Sequence, residues 1–214
     1  MPHAPFKQLA VSAGRRRALS WLLLPALTAL AACDRLPGSS GSPGFEGVDI
    51  TGAPYGHGFA LTDFSGQPRT LADFQGKVVM LYFGFVQCPD VCPTALSRAA
   101  AVMEQLGPQA AEVQLLFVTV DPERDTPELL RAYMAAFDPS FMALTGTDED
   151  IKAAAEAFRV YYKRVPTGSS YTMDHTALTY LIDRQGRLRV ALRHEQGADD
   201  YAADIRTLLA EDAG

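Results

Sequence analysis

Cysteine is scarce in this sequence: Cys33, Cys88 and Cys92 are the only three in 214 residues. At most one pair can form, and one thiol is left over. Basic charge is also thin. Four of the nineteen basic residues fall in the first 32 positions, which hold no acid, so fifteen face twenty-five acidic residues in the remainder, a formal charge of −10. A body that acidic has no basic surface for phosphate backbones, which argues against nucleic acid as a partner. It suits solubility, and also contact with cations or basic partners. No internal repeat and no second linker interrupt the body. The one long apolar run, residues 18–32, falls short of the roughly 20 residues that span a bilayer comfortably.

That run nevertheless has a purpose, because Arg15, Arg16 and Arg17 precede it in the manner of a targeting segment. It ends in Leu30, Ala31, Ala32 and Cys33, which resembles the lipobox of bacterial lipoproteins, whose cysteine is lipidated and becomes the mature N-terminus. Asp34 resembles an inner-membrane retention signal. The competing reading is ordinary cleavage after Ala31, with Cys33 left as a free thiol. Arg15 and Arg16 match a twin-arginine signal only weakly. The expected organisation is a signal peptide over residues 1–32, a flexible tether over 33–44 rich in Gly, Ser and Pro, and one domain over 45–214. About ten such tether residues reach roughly 15 to 20 Å. The lipidated form would be anchored to the inner membrane and face the periplasm.

Within the domain, short β-rich runs alternate with longer amphipathic ones, the pattern of an α/β fold. Residues 59–64 and 69–74 read as a small hairpin region around Ser65 and Gly66. Residues 77–85 (KVVMLYFGF) and 113–120 (VQLLFVTV) read as buried strands. Residues 95–106 read as a helix, and Thr126 with Pro127 opens another. A short strand is expected at 141–144, then a capping box from Thr147 and a helix to about Arg159. Strands at 160–165, 177–183 and 188–192 follow, the last two joined at Arg184, Gln185 and Gly186, and a helix over 198–209 closes the chain. This is the order of a thioredoxin-like domain with a central mixed sheet flanked by helices, enlarged by an N-terminal extension and by an insertion before the late hairpin.

Functional groups in open α/β sheets collect at the carboxyl ends of strands, and Cys88 and Cys92 follow the end of the 77–85 strand. Four apart at a helix start, they should face the same side and hold one ion or close one disulfide, Cys88–Cys92. Pro93 places Cys92 in the first turn, where the helix dipole favours thiolate. Two thiolates form a soft set that selects Cu(I) or Zn(II). Of the four histidines, His3 leaves with the signal, His57 sits in the glycine-rich entry segment and His194 follows the last strand. His175 is expected in a loop beside the first helix, and would complete a three-coordinate Cu(I) site with the cysteines. Zinc prefers a fourth ligand, and no third cysteine is near. Asp174 could orient His175, and Asp121 could support the site. Turn and cap chemistry accounts equally well for Asp121 and Asp125. Phe158, Tyr161 and Tyr162 read as packing residues.

Three stretches, FGFVQCPDVCP at 83–93, TVDPERDTP at 119–127 and YTMDHTALTYLIDRQG at 171–186, resemble the signatures of the Sco/SenC family of copper-binding proteins. The resemblance runs from about Gly56 onward. It implies copper, as Cu(I) and in some members Cu(II), on Cys88, Cys92 and His175. It also implies a role in assembling the binuclear copper centre of cytochrome c oxidase, with subunit II as partner and a periplasmic copper chaperone or thiol reductant upstream. Bacterial members differ in whether they deliver copper, reduce the cysteines of the target, or respond to copper or redox stress. Metallochaperone and thiol-disulfide reductase therefore both stand, because each needs accessible, thiolate-prone cysteines. A thiol peroxidase is disfavoured, since the PxxxTxxC pattern is absent: Phe85 stands three before Cys88 and Pro89 three before Cys92.

Overall fold

The computed structural model describes residues 44–211. The expected signal peptide, Cys33 and all of the tether but Gly44 lie outside the described residues. Among the described residues, no helix is long and apolar enough to cross a membrane.

An eight-stranded mixed sheet forms the frame. At its centre, β4 (Val78–Gly84) runs parallel to β5 (Val113–Thr119), which runs parallel to β6 (Met142–Thr145). Every side chain of β4 is buried, as a central strand covered on both faces requires, so it reads as an unbroken apolar run without alternation. On the other side of β4, β9 (Thr179–Ile182) and β10 (Leu188–Leu192) add as an antiparallel hairpin. Its turn works because Gly186 adopts φ +79°, open to glycine without strain, and Asp183 Oδ1 accepts the N–H groups of Gln185 and Arg187.

The N-terminal extension supplies the outer strands at both ends of the sheet. β1 (Val48–Asp49) pairs with β10, while β2 (Ala60–Asp63) pairs with β6 and with β3 (Pro68–Thr70). The two-residue β1 carries no periodic signal and is not foreseen by sequence pattern. Asp63, at the end of β2, is held down at about 2. Burial opposes this, but hydrogen bonds from Ser65, Gln67 and Arg69 outweigh it.

Helices flank the sheet. α1 (Val91–Leu106) packs on α4 (Ala198–Glu211), α2 (Pro127–Ala135) lies against β6, and α3 (Asp148–Ala157) lies against β2. The caps follow the sequence: Thr126 accepts the Leu129 N–H, and Thr147 forms a reciprocal box with Asp150. Phe158 is wholly buried and Tyr162 partly, packed on the core, while Tyr161 stands 60% exposed at the surface.

The insertion before the late hairpin departs from expectation. The strand expected at 160–165 is β7 (Tyr162–Thr167), and its partner is β8 (Ser170–His175), a segment expected as loop. Together they form a separate two-stranded sheet outside the main one. The pair holds because its residues match one to one, from Tyr162 opposite His175 to Thr167 opposite Ser170, around Gly168 with φ +61°. A run of charged and polar residues, mostly exposed, conceals this strand pairing from any argument based on burial.

Candidate metal centre

The site stands where β4 ends. Beyond Gly84 the chain turns through Val86–Asp90 before α1 begins at Val91. Cys92 lies in the first turn of α1, as Pro93 requires, and is wholly buried. Cys88 is not on the helix with it. It precedes α1, so helical i,i+4 spacing is not what brings the sulfurs together. Instead the Cys92 N–H donates to Cys88 Sγ at 3.4 Å. Asp90, the N-cap, makes no side-chain bond, so the Cys88 sulfur takes the place of a capping oxygen and accepts one of the otherwise unpaired first-turn donors.

Room for the second sulfur depends on Gly84. A Cβ at that position would sit 2.8 Å from Cys92 Sγ, 2.8 Å from the Phe117 ring and 3.0 Å from the Tyr82 ring. Any other residue would therefore push the sulfur or the ring aside.

His175 is the last residue of β8, not a loop residue, and is half-buried. Its Nε2 stands 3.4 Å from Cys92 Sγ and its Nδ1 3.1 Å from the Thr176 carbonyl oxygen. An Nδ1–H donated to that carbonyl would free the Nε2 lone pair for a metal, at the cost of any proton Nε2 shares with the sulfurs when the ion is absent. Tyr82 and Phe85 hold the imidazole by edge-on contacts, with centroids 6.1 and 5.9 Å away. The Tyr82 hydroxyl also lies 3.9 Å from Cys92 Sγ. Sequence reasoning reads both aromatics as strand filler. Only the folded contacts with His175 reveal that Tyr82 and Phe85 both face the site.

The donor atoms of Cys88, Cys92 and His175 all lie within 4.8 Å of one another. Two soft sulfurs and one imidazole nitrogen, gathered from segments 83 residues apart, suit Cu(I) and leave a harder oxygen-seeking ion without ligands. The thiols are unlike. A hydrogen bond from Cys92 lowers the Cys88 pKa most, helped by His175 and the N–H groups of Asp90 and Cys92 and opposed by burial. The same hydrogen bond, with burial, pushes Cys92 far up. The arrangement thus favours thiolate at Cys88 and thiol at Cys92. Cys88 also borders an open cleft of about 370 Å³, together with Phe85, Asp90, Met173, Asp174 and His175. A second cleft, of about 700 Å³ beside Met103 and Phe137, contains none of the three donor residues.

The two aspartates expected nearby diverge. Asp174 is exposed at the rim of the cleft, across the hairpin from Lys163. Asp121 is buried and binds Arg124 and the Tyr171 hydroxyl, touching none of the three donor residues. Asp125 exceeds the turn-and-cap role expected of it. Only 1% exposed, it accepts from the Thr119 hydroxyl at 2.6 Å and from the Val86 N–H at 3.1 Å, pinning the Cys88 turn to the end of β5. Burial raises its pKa to about 6.

This geometry has counterparts. The SCO1/SenC family profile matches residues 48–210. The SCO2-like protein RP587 of Rickettsia prowazekii is 40% identical over 132 residues, 60% of this chain and 64% of that protein, so the match spans a little under two thirds of that relative. The structure of Bradyrhizobium japonicum ScoI with copper bound is 41% identical, with a TM-score of 0.67 over 72% of this chain and 99% of that one. Apo Sco1 of Thermus thermophilus is 40% identical, with a TM-score of 0.70 over 77% and 97%. These likenesses confirm the thioredoxin-like fold. Because the family match covers the frame and both segments that meet at the sulfurs, this chain belongs to the SCO1/SenC family.

Proposed function

We propose that this chain is an extracytoplasmic copper metallochaperone that holds one Cu(I) on Cys88, Cys92 and His175 and passes it to the cysteines of cytochrome c oxidase subunit II. The observation that carries this reading is the meeting of two sulfurs and an imidazole nitrogen within 4.8 Å, with Cys88 at the edge of an open cleft. The B. japonicum relative with copper bound supports it. Transfer is an exchange of ligands: an incoming thiolate reaches the ion from the cleft side and Cys88 or His175 lets go, with no net redox change. The amino-terminal segment fits this role as a signal over residues 1–32, a lipid anchor at Cys33 and a tether over 33–44, which would keep the domain at the periplasmic face of the inner membrane. Among the related proteins are mitochondrial ones.

The asymmetry of the thiols favours a second reading, a thiol-disulfide reductase for the same client. The Cys88 thiolate would attack a client disulfide sulfur, releasing one client thiolate and forming a mixed disulfide. Cys92, deprotonated, would then attack Cys88 Sγ, freeing the second client thiol and closing Cys88–Cys92, with two electrons delivered to the client. One experiment separates the two. The copper-loaded protein and the metal-free dithiol are each mixed with the soluble copper domain of an oxidase subunit II, its cysteines reduced in one arm and disulfide-linked in the other. Copper found on the reduced client after the two proteins are separated, read by metal analysis, supports delivery. Conversion of the oxidised client alone supports reduction.

A further inference from the structure

Between the two halves of the site lies Arg124, 15% exposed, in the turn after β5. Its Nε pairs with Asp121, and Nη1 donates to the Tyr171 carbonyl at 2.8 Å and to Gln87 Oε1 at 3.2 Å. The guanidinium carbon also lies 3.6 Å from the Tyr171 ring centroid. Tyr171 in turn donates its hydroxyl to the other Asp121 oxygen at 2.9 Å, and the Asp121 N–H is tied to Thr119 Oγ1 at 3.0 Å. Gln87 is the neighbour of Cys88, and Tyr171 belongs to the strand that ends in His175. One side chain therefore touches the turn that carries a sulfur, the strand that carries the imidazole and the end of the central sheet.

A two-stranded hairpin is marginal by itself, and β7 and β8 pair with no strand of the main sheet. Beyond its covalent links to α3 and β9, its position relative to the sulfurs comes from side-chain contacts. A planar guanidinium is suited to that task because its donors are fixed in direction and its face can stack at the same time.

Resting on the copper reading above, we propose that Arg124 is a positioning residue whose bridge from Gln87 to Tyr171 sets the span between Cys88 and His175, and so decides how strongly the histidine joins the site. Arg124 contacts none of the three donor residues and acts through the hairpin.

The test is a double-mutant cycle in Cu(I) affinity on the reduced protein, using Arg124→Ala, His175→Ala and the two combined. Arg124→Ala should weaken binding about tenfold, the scale of a lost supporting contact. Added to His175→Ala it should change affinity by less than about twofold, because the ligand it positions is already gone. An equal loss in both backgrounds, or no loss in the parent, overturns the proposal. Arg124→Lys keeps the charge beside Asp121 and loses the fork; it should fall between parent and Arg124→Ala, and it serves the same cycle if the alanine variant does not fold. Amide hydrogen exchange on the metal-free Arg124 variant separates this proposal from the copper reading. Faster exchange in β7 and β8 with β4 and β5 unchanged supports the bridge, and unchanged hairpin exchange overturns it. Unchanged affinity in His175→Ala alone would instead strike the three-ligand reading.

Discussion

The sulfurs and the imidazole of this site are held by different kinds of structure. Cys92 is fixed by the core: it is wholly buried on α1, against Gly84 and Tyr82 of a strand buried at every position. His175 arrives on a hairpin outside the main sheet, held by the Thr176–Tyr161 backbone bond, two aromatic edges and the polar contacts of Tyr171. Apolar burial at about 25 cal/mol per Å² dominates the first arrangement, while the second has one fully buried side chain, Met173, with Tyr162 and Tyr171 partly packed, and a few hydrogen bonds of about 1 kcal/mol each. A carrier benefits from the contrast, since a firmly held sulfur keeps the ion and a more loosely held ligand gives it up.

Removing a sulfur should have the largest effect. Cys88→Ser or Cys92→Ser is expected to abolish high-affinity Cu(I) binding in a competition titration, and unchanged affinity in either would contradict the proposed ligand set. Next comes Gly84→Ala, which would force a Cβ to within 2.8 Å of Cys92 Sγ and of the Phe117 ring. It should cost about 3 kcal/mol in denaturant unfolding and weaken copper binding as well. An alanine at exposed Gly197, where a Cβ meets nothing and the backbone is likewise outside the left-handed region, should cost far less; an equal cost there would show that crowding at Cys92 is not what is being measured.

The Asp125 tie to Val86 predicts a pH effect on the core side of the comparison. Its folded pKa, about 6, lies above the unfolded 3.8, so between those values the folded chain keeps a proton that the unfolded chain has released. That contribution to stability is complete below about 3.8, declines as pH rises through the window and is gone above 6, a loss of about 3 kcal/mol. Asp125→Asn should flatten this part of the unfolding profile, and an unaltered slope would assign the effect elsewhere. The smallest effect concerns the thiols. At pH 6 iodoacetamide should modify Cys88 at least about tenfold faster than Cys92, read by peptide mass, because thiolate character and access both favour it. Equal rates would remove the asymmetry on which the reductase reading depends.

The core half of the site is legible in the sequence and the hairpin half much less so. Uninterrupted apolar runs reveal β4 and β5, and Thr126, Pro127 and Thr147 mark helix starts by local chemistry that survives folding. Cys92 follows from Pro93. Cys88, by contrast, meets it through a turn and a sulfur-capped N–H, a geometry that spacing alone does not distinguish from two helical positions. The β7–β8 pair escapes notice because its residues are mostly polar and only Met173 is fully buried, and β pairing with so little burial leaves no periodicity to read. Asp125 and Arg124 escape for another reason. Their partners, Val86, Gln87 and Tyr171, lie tens of residues away, and only the parallel β4–β5 register brings that turn beneath the site.

The central claim is that the loosely held imidazole completes a site the core has already half built. An anaerobic Cu(I) competition titration of the reduced protein beside His175→Ala tests it most directly. One tight equivalent in the parent and a loss on the order of tenfold to a hundredfold in the variant, with the thermal midpoint little changed, is the predicted result. Equal affinity in parent and variant would contradict it, and would leave Cys88 and Cys92 as a redox pair with the histidine as a bystander.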